Sequence, residues 1–388
     1  MDITAIAQFM NMPFDTFMIL LILASIVVFL VIIIYILKYV IDLAPFAYTN
    51  ARIRSMEARL LSKDKLDELI EAGGINELIG FLDDTEYGPY ISEVMNELHD
   101  PIAIEKALNM HLADVYQTLL TISPDEAKKT LNLLAKKFDI KNIKTLLRAK
   151  YVGLDEEETF KLLIPLGTIP VNKLRELSET KSVDEVVSGL EGTEYAPVLN
   201  EALAKFEQTN NLLPLELALD KYLLEKLWKT VGIEGKEKDL FKEFIGRMVD
   251  IESIKVILRG KVDKLPSDVL SDYLVNIGYE LAPWKLKELA DADSIEAVVS
   301  SLEGTAYAQI LADAMEEYEK TKSVYAFEKA LDKYLVELGK KLSLRKPFGV
   351  GPIIGFITAK ELEIRNLKII IKGKIENFSS NQIRTLIA

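Results

Sequence analysis

The hydrophobic pattern begins with a run that has no polar face. Residues 17–37, FMILLILASIVVFLVIIIYIL, are 21 positions without a charge. Beyond residue 45 the pattern changes. Apolar residues recur at three- and four-residue spacing and are punctuated by Gly, Pro, Ser and Thr, which predicts a succession of amphipathic helices. Strand-like alternation is nearly absent. The β-branched run KIIIKGKI (residues 368–375) is ambiguous, but its counterparts KVILRGKV and KTLLRAKY have helical spacing, so helix is assigned to all three. The fold class is therefore all-α.

The helical pattern repeats. KLDEL, KLREL and KLKEL begin at Lys65, Lys173 and Lys285, and in each copy 19 residues separate the first Leu from a later Thr (Thr85, Thr193, Thr305). That Thr lies in a recurrent hinge, LDDTEYGPYI, LEGTEYAPVL and LEGTAYAQIL. Downstream come IEKALNMHLADVY, LELALDKYLLEKL and FEKALDKYLVELG, and after them the basic amphipathic segments IKNIKTLLRAK, IESIKVILRGK and IRNLKIIIKGK. The hinge threonines are 108 and 112 residues apart. Such a period is too long for a two-helix solenoid unit and implies three small multi-helix bundles. The chain divides accordingly into a short N-terminal segment (1–16), a membrane helix (17–41) and repeats at 42–139, 140–250 and 251–388, the last with a closing helix.

Each hinge reads as a structural corner. A short helix (75–82, 183–190, 295–302) follows a cap at Gly74, Ser182 or Ser294. Gly192 and Gly304 stop it in the left-handed conformation, as does Asp84 in the first copy. Thr85, Thr193 and Thr305 start the next helix, whose first turn carries Tyr87, Tyr195 or Tyr307. A small residue follows each Tyr (Gly88, Ala196, Ala308) and admits a neighbouring helix. The rings are expected to pack inward, with hydroxyls satisfied by backbone.

At ~1.5 Å per residue, the 21-residue run spans ~31 Å, the thickness of a bilayer's hydrocarbon core. Asp2 and Asp15 precede it, and Lys38, Arg52 and Arg54 follow, so the positive-inside rule puts the remainder in the cytoplasm. The net charge of −13 argues against nucleic acid as a partner. The absence of cysteine removes thiolate chemistry and Cys-based metal sites. The two histidines, His99 and His111, have no metal-ligand spacing and read as surface or packing residues.

No motif supports catalysis. GVGPIIG (349–355) departs from a dinucleotide loop and follows no strand, so Pro352 reads as the entry to a helix. SPDEAKKTLNLL suggests a capping box with Ser123 as cap, Pro124 in the first helical place and Glu126 reaching back. LDEEETF (154–160) reads as an acidic helix start. Catalytic, cofactor and metal residues are accordingly assigned as none. The basic side chains Lys144, Arg148, Lys150, Lys255, Arg259, Lys261, Lys368, Lys372 and Lys374 are candidates to face acidic partner surfaces, against the alternative of solvated helix faces.

In YTNARIRSMEARLLS (48–62), the three T-x-Y hinges and AKELEIRNLKIIIKGK (359–374), the chain resembles the C subunits of archaeal A-type and bacterial V/A-type ATP synthases, whose eukaryotic relative is the d subunit of the vacuolar ATPase. The likeness covers about residues 45–388. It implies an all-helical funnel with pseudo-threefold symmetry and no active site. It also implies a rotor role in ATP synthesis and ion transport: the D and F subunits of the central stalk on one side, the membrane ring of c/K subunits on the other. The relatives it implies start near the equivalent of Tyr48, which would make the apolar run an addition that contacts the lipid bilayer. A membrane-anchored helical scaffold outside any rotary machine is the rival reading, and a membrane-tethered enzyme a weaker one.

Overall fold

A computed structural model describes residues 13–94, 101–231, 238–275 and 277–388, and all regular structure among them is α-helix. The apolar run lies in α1 (Phe14–Glu57), one helix of 44 residues. Its segment Asp15–Ile41 is long and apolar enough to cross a membrane and is almost wholly uncovered by the rest of the protein. The helix does not end there. It continues through Pro45, which removes one backbone donor but leaves the flanking turns bonded. Its final turns bury Phe46, Thr49, Asn50, Ile53 and Met56.

The repeated patterns become repeated helices. In the first copy α2 (Lys63–Glu71) carries KLDEL, α3 (Ile75–Asp83) is the short helix, and α4 (Gly88–Glu93) and α5 (Pro101–Ile122) follow the hinge. The long helix α6 (Asp125–Val152) then leads through α7 (Glu156–Lys161) to α8 (Val171–Ser178), α9 (Val183–Gly189), α10 (Ala196–Thr209) and α11 (Leu213–Val231). The order recurs with α12 (Lys238–Val262), α13 (Ser267–Tyr273), α14 (Pro283–Asp291), α15 (Ile295–Ser301), α16 (Ala308–Thr321) and α17 (Tyr325–Arg345). The chain closes with α18 (Gly351–Ile375) and α19 (Ser380–Leu386). KIIIKGKI is helical within α18, Pro352 stands in its first turn, and Asp155 caps the acidic start of α7.

Each long helix packs on the helices of the hinge that follows it in sequence: α6 on α8, α9 and α11, and α12 on α14, α15 and α17. The last has no following hinge. α18 returns to the first copy and packs on α1, α3 and α5 as well as α17. The buried apolar residues show the same division. One cluster lies within residues 140–219 and a second within 251–331. The third joins residues 46–138 to residues 338–383, with parts of α11 and α12 between them.

The glycines of GVGPIIG serve helix contact. A Cβ on Gly355 would lie 3.0 Å from the Gly339 carbonyl oxygen, and one on Gly351 would lie 2.6 Å from that of Leu342. These close approaches let α17 and α18 form the most extensive helix pair among the described residues. The capping box at Ser123 does not form. Pro124 is the extended cap residue, α6 starts at Asp125, and the buried Ser123 Oγ has no hydrogen-bond partner. The side chain of Glu126 lies outside the described residues, as does His99.

Gly355→Leu is expected to force α17 and α18 apart and to cost roughly 1–3 kcal/mol or more. Gly80→Ala, on an α3 position with nothing within 4 Å of the added carbon, should be neutral or stabilising by about 0.5–1 kcal/mol. Urea titrations of the detergent-solubilised full chain compare the two; equal midpoints would contradict the packing account.

Candidate functional site

The three hinges share one local geometry. Ser182 and Ser294 cap their short helices by accepting from the Glu185 and Ala297 amides. Gly192 and Gly304 adopt φ of 80° and 84°, the left-handed region that favours glycine. Asp84 does not adopt it. At φ −80° it turns the first hinge with ordinary backbone, and Gly88 provides the needed room, since a Cβ there would meet the Asp83 carbonyl at 2.2 Å. The hydroxyls of Thr85, Thr193 and Thr305 donate to the carbonyls of Leu82, Leu190 and Leu302 and accept from the amides of Tyr87, Tyr195 and Tyr307. Each Tyr is thus the cap of the next helix, one position ahead of its expected place in the first turn.

The tyrosine rings are buried as expected, but their hydroxyls do not bond to backbone. Tyr195 donates to Asp139 Oδ2 at 2.8 Å, Tyr307 to Asp250 Oδ2 at 2.8 Å, and Tyr87 to Glu363 Oε1 at 2.5 Å. The acceptors lie on α6, α12 and α18. Each immediately precedes a basic amphipathic segment, just outside the pattern that begins at Ile140, Ile251 and Ile364. The recurrence of an acid there is the signal in the sequence that marks them. Each carboxylate also accepts amides of the chain entering the KLxEL helix: Thr168 and Ile169 for Asp139, Tyr279 and Glu280 for Asp250, Leu61 for Glu363. Burial pushes all three phenols up, and the neighbouring carboxylates add to the shift. Burial also raises the Asp250 carboxyl, opposed by its amide and phenol donors.

A cation stands three residues before each acid. Lys136 pairs with Glu194, Arg247 with Glu280 at 2.7 Å, and Lys360 with Glu86 at 3.1 Å and Glu363 at 2.8 Å. Glu86 and Glu194 belong to the hinges themselves. In the third hinge Ala306 replaces that Glu, and Glu280 takes over the role while accepting the Ala306 amide. An aromatic edge completes every corner: His111 on Tyr87, Tyr222 on Tyr195 and Tyr334 on Tyr307. His111 is squeezed between Tyr87 and Tyr90, and burial, aided by Lys360, lowers its pKa to about 3. Glu86 lies 3.9 Å from its Nε2, beyond hydrogen-bond reach, and is already engaged by Lys360.

Most of the candidate partner-facing cations are occupied within the chain. Lys144 pairs with Asp220, Lys255 with Asp332, and Lys368 with Glu105 and Asn109, three matching positions. Arg148 and Arg259 make two-pronged contacts to Glu216 and Glu328. Lys261 and Lys374 donate to the carbonyls of Ala290 and Ala72 at the ends of KLxEL helices, and the buried Lys150 donates to Thr159. Lys372 alone of the nine is exposed with no side-chain hydrogen bond or close ion pair among the described residues, and it acts on Glu105 only through its charge at longer range. Arginine's fork suits bidentate pairing, so these contacts fasten the long helices to α5, α11 and α17.

The corners present no reactive group to solvent. Their acids, cations and phenols pair with one another, although the buried Nε of Arg247 and Nε2 of His111 have no hydrogen-bond partner, and no group of acids and histidines suited to a metal occurs among the described residues. A 450 Å³ cleft lies between α10, α11 and α13, lined by Glu201, Lys205, Lys221 and Asp272 among others, with no convergent buried polar group. The arrangement joins helices.

Residues 49–386 match the ATP synthase (C/AC39) subunit family. The chain is 62% identical over 368 residues to the C subunit of the A-type ATP synthase of Methanocaldococcus jannaschii, covering 95% of this chain and 92% of that protein. It is 40% identical over 391 residues to the protein of the same name from Methanothermobacter thermautotrophicus, covering 100% and 99%. For the Pyrococcus horikoshii protein of that name the identity is 30% over 344 residues, 88% of this chain and 90% of that one. The alignment over the whole chain gives the Methanothermobacter protein a counterpart to the N-terminal segment, so the segment is not an addition peculiar to this chain, although the expectation is that most relatives begin near Tyr48.

Tyr195→Phe should cost roughly 1.5–3 kcal/mol, the range for a hydrogen bond to a charged group. Asp139→Ala should cost more, because it also strands the Thr168 amide and the buried Ile169 amide; a smaller effect for Asp139→Ala in urea unfolding would refute this assignment. His111, neutral in the fold with a pKa of about 3, takes up a proton on unfolding below its free value near 6.5. Its contribution is therefore intact above pH 6.5 and is lost as pH falls toward 3, by ~2 kcal/mol at pH 5. His111→Tyr, the residue type of the other two copies, should flatten the stability difference between pH 7 and pH 5 by that amount.

Proposed function

Because the chain belongs to the ATP synthase (C/AC39) subunit family, we propose that it is the central-stalk component that couples the D and F shaft of an A-type ATP synthase to its membrane rotor ring. It is a structural subunit of that complex, and catalysis belongs to other chains. The observation that carries the reading is the 62% identity, across nearly the whole length of both chains, to a protein named as the C subunit of an A-type ATP synthase.

The physical features fit a torque adaptor. Such a part must resist shear, and here long helices are fixed to their neighbours by buried carboxylates, two-pronged Arg pairs and close helix contacts. Three corners of equal design, with α18 returning to the first hinge, support a closed cup with a pseudo-threefold axis that receives an asymmetric shaft. Exposed Lys372 remains as a basic contact toward a partner. The other eight cations act through the shape they maintain.

The N-terminal helix supplies the membrane connection. Lys38 near the C-terminal end of its apolar segment, with Arg52 and Arg54 beyond, orients the body to the cytoplasmic side by the positive-inside rule. On a rotor, a span outside the ring would be swept into the stator at every turn, whereas one in the ring's lumen turns unobstructed. We therefore place residues 15–41 in or near the lumen, on the rotation axis.

Tagged protein drawn from detergent-solubilised membranes should bring D, F and the ring subunits with it; purification free of all ATPase subunits would favour the independent scaffold. A chain starting at Tyr48 should keep the shaft subunits but hold the ring more weakly. Unchanged ring affinity and coupling in that truncation, or crosslinks from residues 15–41 to the stator-facing side of the ring, would defeat the lumen placement.

A further inference from the structure

The α17–α18 corner lies where α1 leaves its apolar segment. Asn50 of α1 donates to the Pro347 carbonyl at 3.2 Å, and Arg54 donates to Ser343 Oγ at 3.0 Å. Rising residue numbers on α17 thus meet falling numbers on α1, so α17 points toward the membrane end and its C-terminal corner is its nearest part. Nine residues, ~13 Å of helix, separate Ile41 from Asn50, and a headgroup layer fills ~5–8 Å of that distance. The side chain following Pro347 is placed to cover the remainder.

That side chain is Phe348, 55% exposed, and Leu344 beside it is 75% exposed. Outside the apolar segment of α1, only Tyr48, Val152 and Trp284 among the described large apolar residues are comparably exposed. Beside Leu344 on the same helix, Lys340 and Lys341 are exposed and have no ion-pair partner among the described residues, while Arg345 is held by Glu243. Glu337, one turn up α17, is the neighbouring acid. Apolar side chains projecting from a cationic rim, continuous with an apolar helix, are what an anionic lipid surface accommodates: the apolar groups enter the boundary of headgroups and acyl chains while the cations meet phosphates.

We propose that Leu344 and Phe348 form a foot that sits in the bilayer surface beside α1, held by anionic headgroups at Lys340 and Lys341. This rests on α1 crossing the membrane and not on the rotor role. The foot gives the body a second point of contact, so that its tilt is fixed relative to the membrane plane as well as to α1.

The chain contains no cysteine, so single cysteines bearing an environment-sensitive dye report position in the full protein. Phe348→Cys, Val28→Cys and Val152→Cys would be compared in nanodiscs of phosphatidylcholine with or without phosphatidylglycerol, using nitroxide quenchers at the headgroup or at the bilayer centre. Val152 is 68% exposed at the far end of α6, ~40 Å along that helix from its start, which lies beside Ile122, whose carbonyl accepts from Thr49 of α1. The expected result is quenching of the Val28 label from the centre, of the Phe348 label from the headgroup, and of the Val152 label from neither. Phosphatidylglycerol should deepen the Phe348 signal, and Lys340→Gln with Lys341→Gln, or high salt, should remove that increment. A Phe348 label as water-exposed as the Val152 label would overturn the proposal. So would shielding that arises only when the other synthase subunits are added, which would assign the foot to a protein contact. If the Val28 label is not quenched, α1 does not insert and the foot falls with it.

Discussion

A buried carboxylate is the constraint on which the rest of the structure turns. Removing a charge from water is costly unless its oxygens are met by donors. At Asp139, Asp250 and Glu363 the donors come from two other places in the chain: the amides entering a KLxEL helix and the hydroxyl of a hinge tyrosine. Apolar burial alone would let a long helix slide or rotate against its neighbours with little penalty. Directed bonds to a single carboxyl group fix its register, and the apolar contacts then fill in around that register.

The variation among the corners shows which parts are interchangeable. Lys136, Arg247 and Lys360 supply the same charge from the same turn. When the hinge glutamate is replaced by Ala306, Glu280 reaches the cation from another segment and also accepts the amide of the residue that replaced it. His111 occupies the position of a tyrosine and keeps the edge-on ring contact, but its neutral imidazole makes the first corner sensitive to acid. Charge balance and ring packing are preserved in all three corners, while the residues providing them are not.

Much of this is legible in the sequence. The periodicity gives helices, the repeated KLxEL and T-x-Y markers give the copies, and Gly192 and Gly304 give the left-handed stops, since those features depend on residues within a few positions of one another. The tyrosine acceptors are not legible in that way, because Asp139 is 56 positions from Tyr195 and Glu363 is 276 from Tyr87. The basic segments look available for partners because their acids lie about 70 residues away on another helix, or 263 away for Lys368. Asp84 suggests a left-handed stop by its residue type, whereas Gly88, four positions on, relieves the need. Separation in the chain, not subtlety of the chemistry, sets the limit.

The return of α18 to the first hinge has a consequence for biosynthesis. The second and third corners each draw their acid from a helix already made when their tyrosine appears. The first must wait for Glu363, so its tyrosine, its short helix and the apolar face beneath them leave the ribosome long before their partner exists. At ~5–20 residues per second that interval lasts tens of seconds. The earliest-made part of the body is thus the last to be completed, and the nascent protein depends on its last long helix to conceal the surface it exposed first.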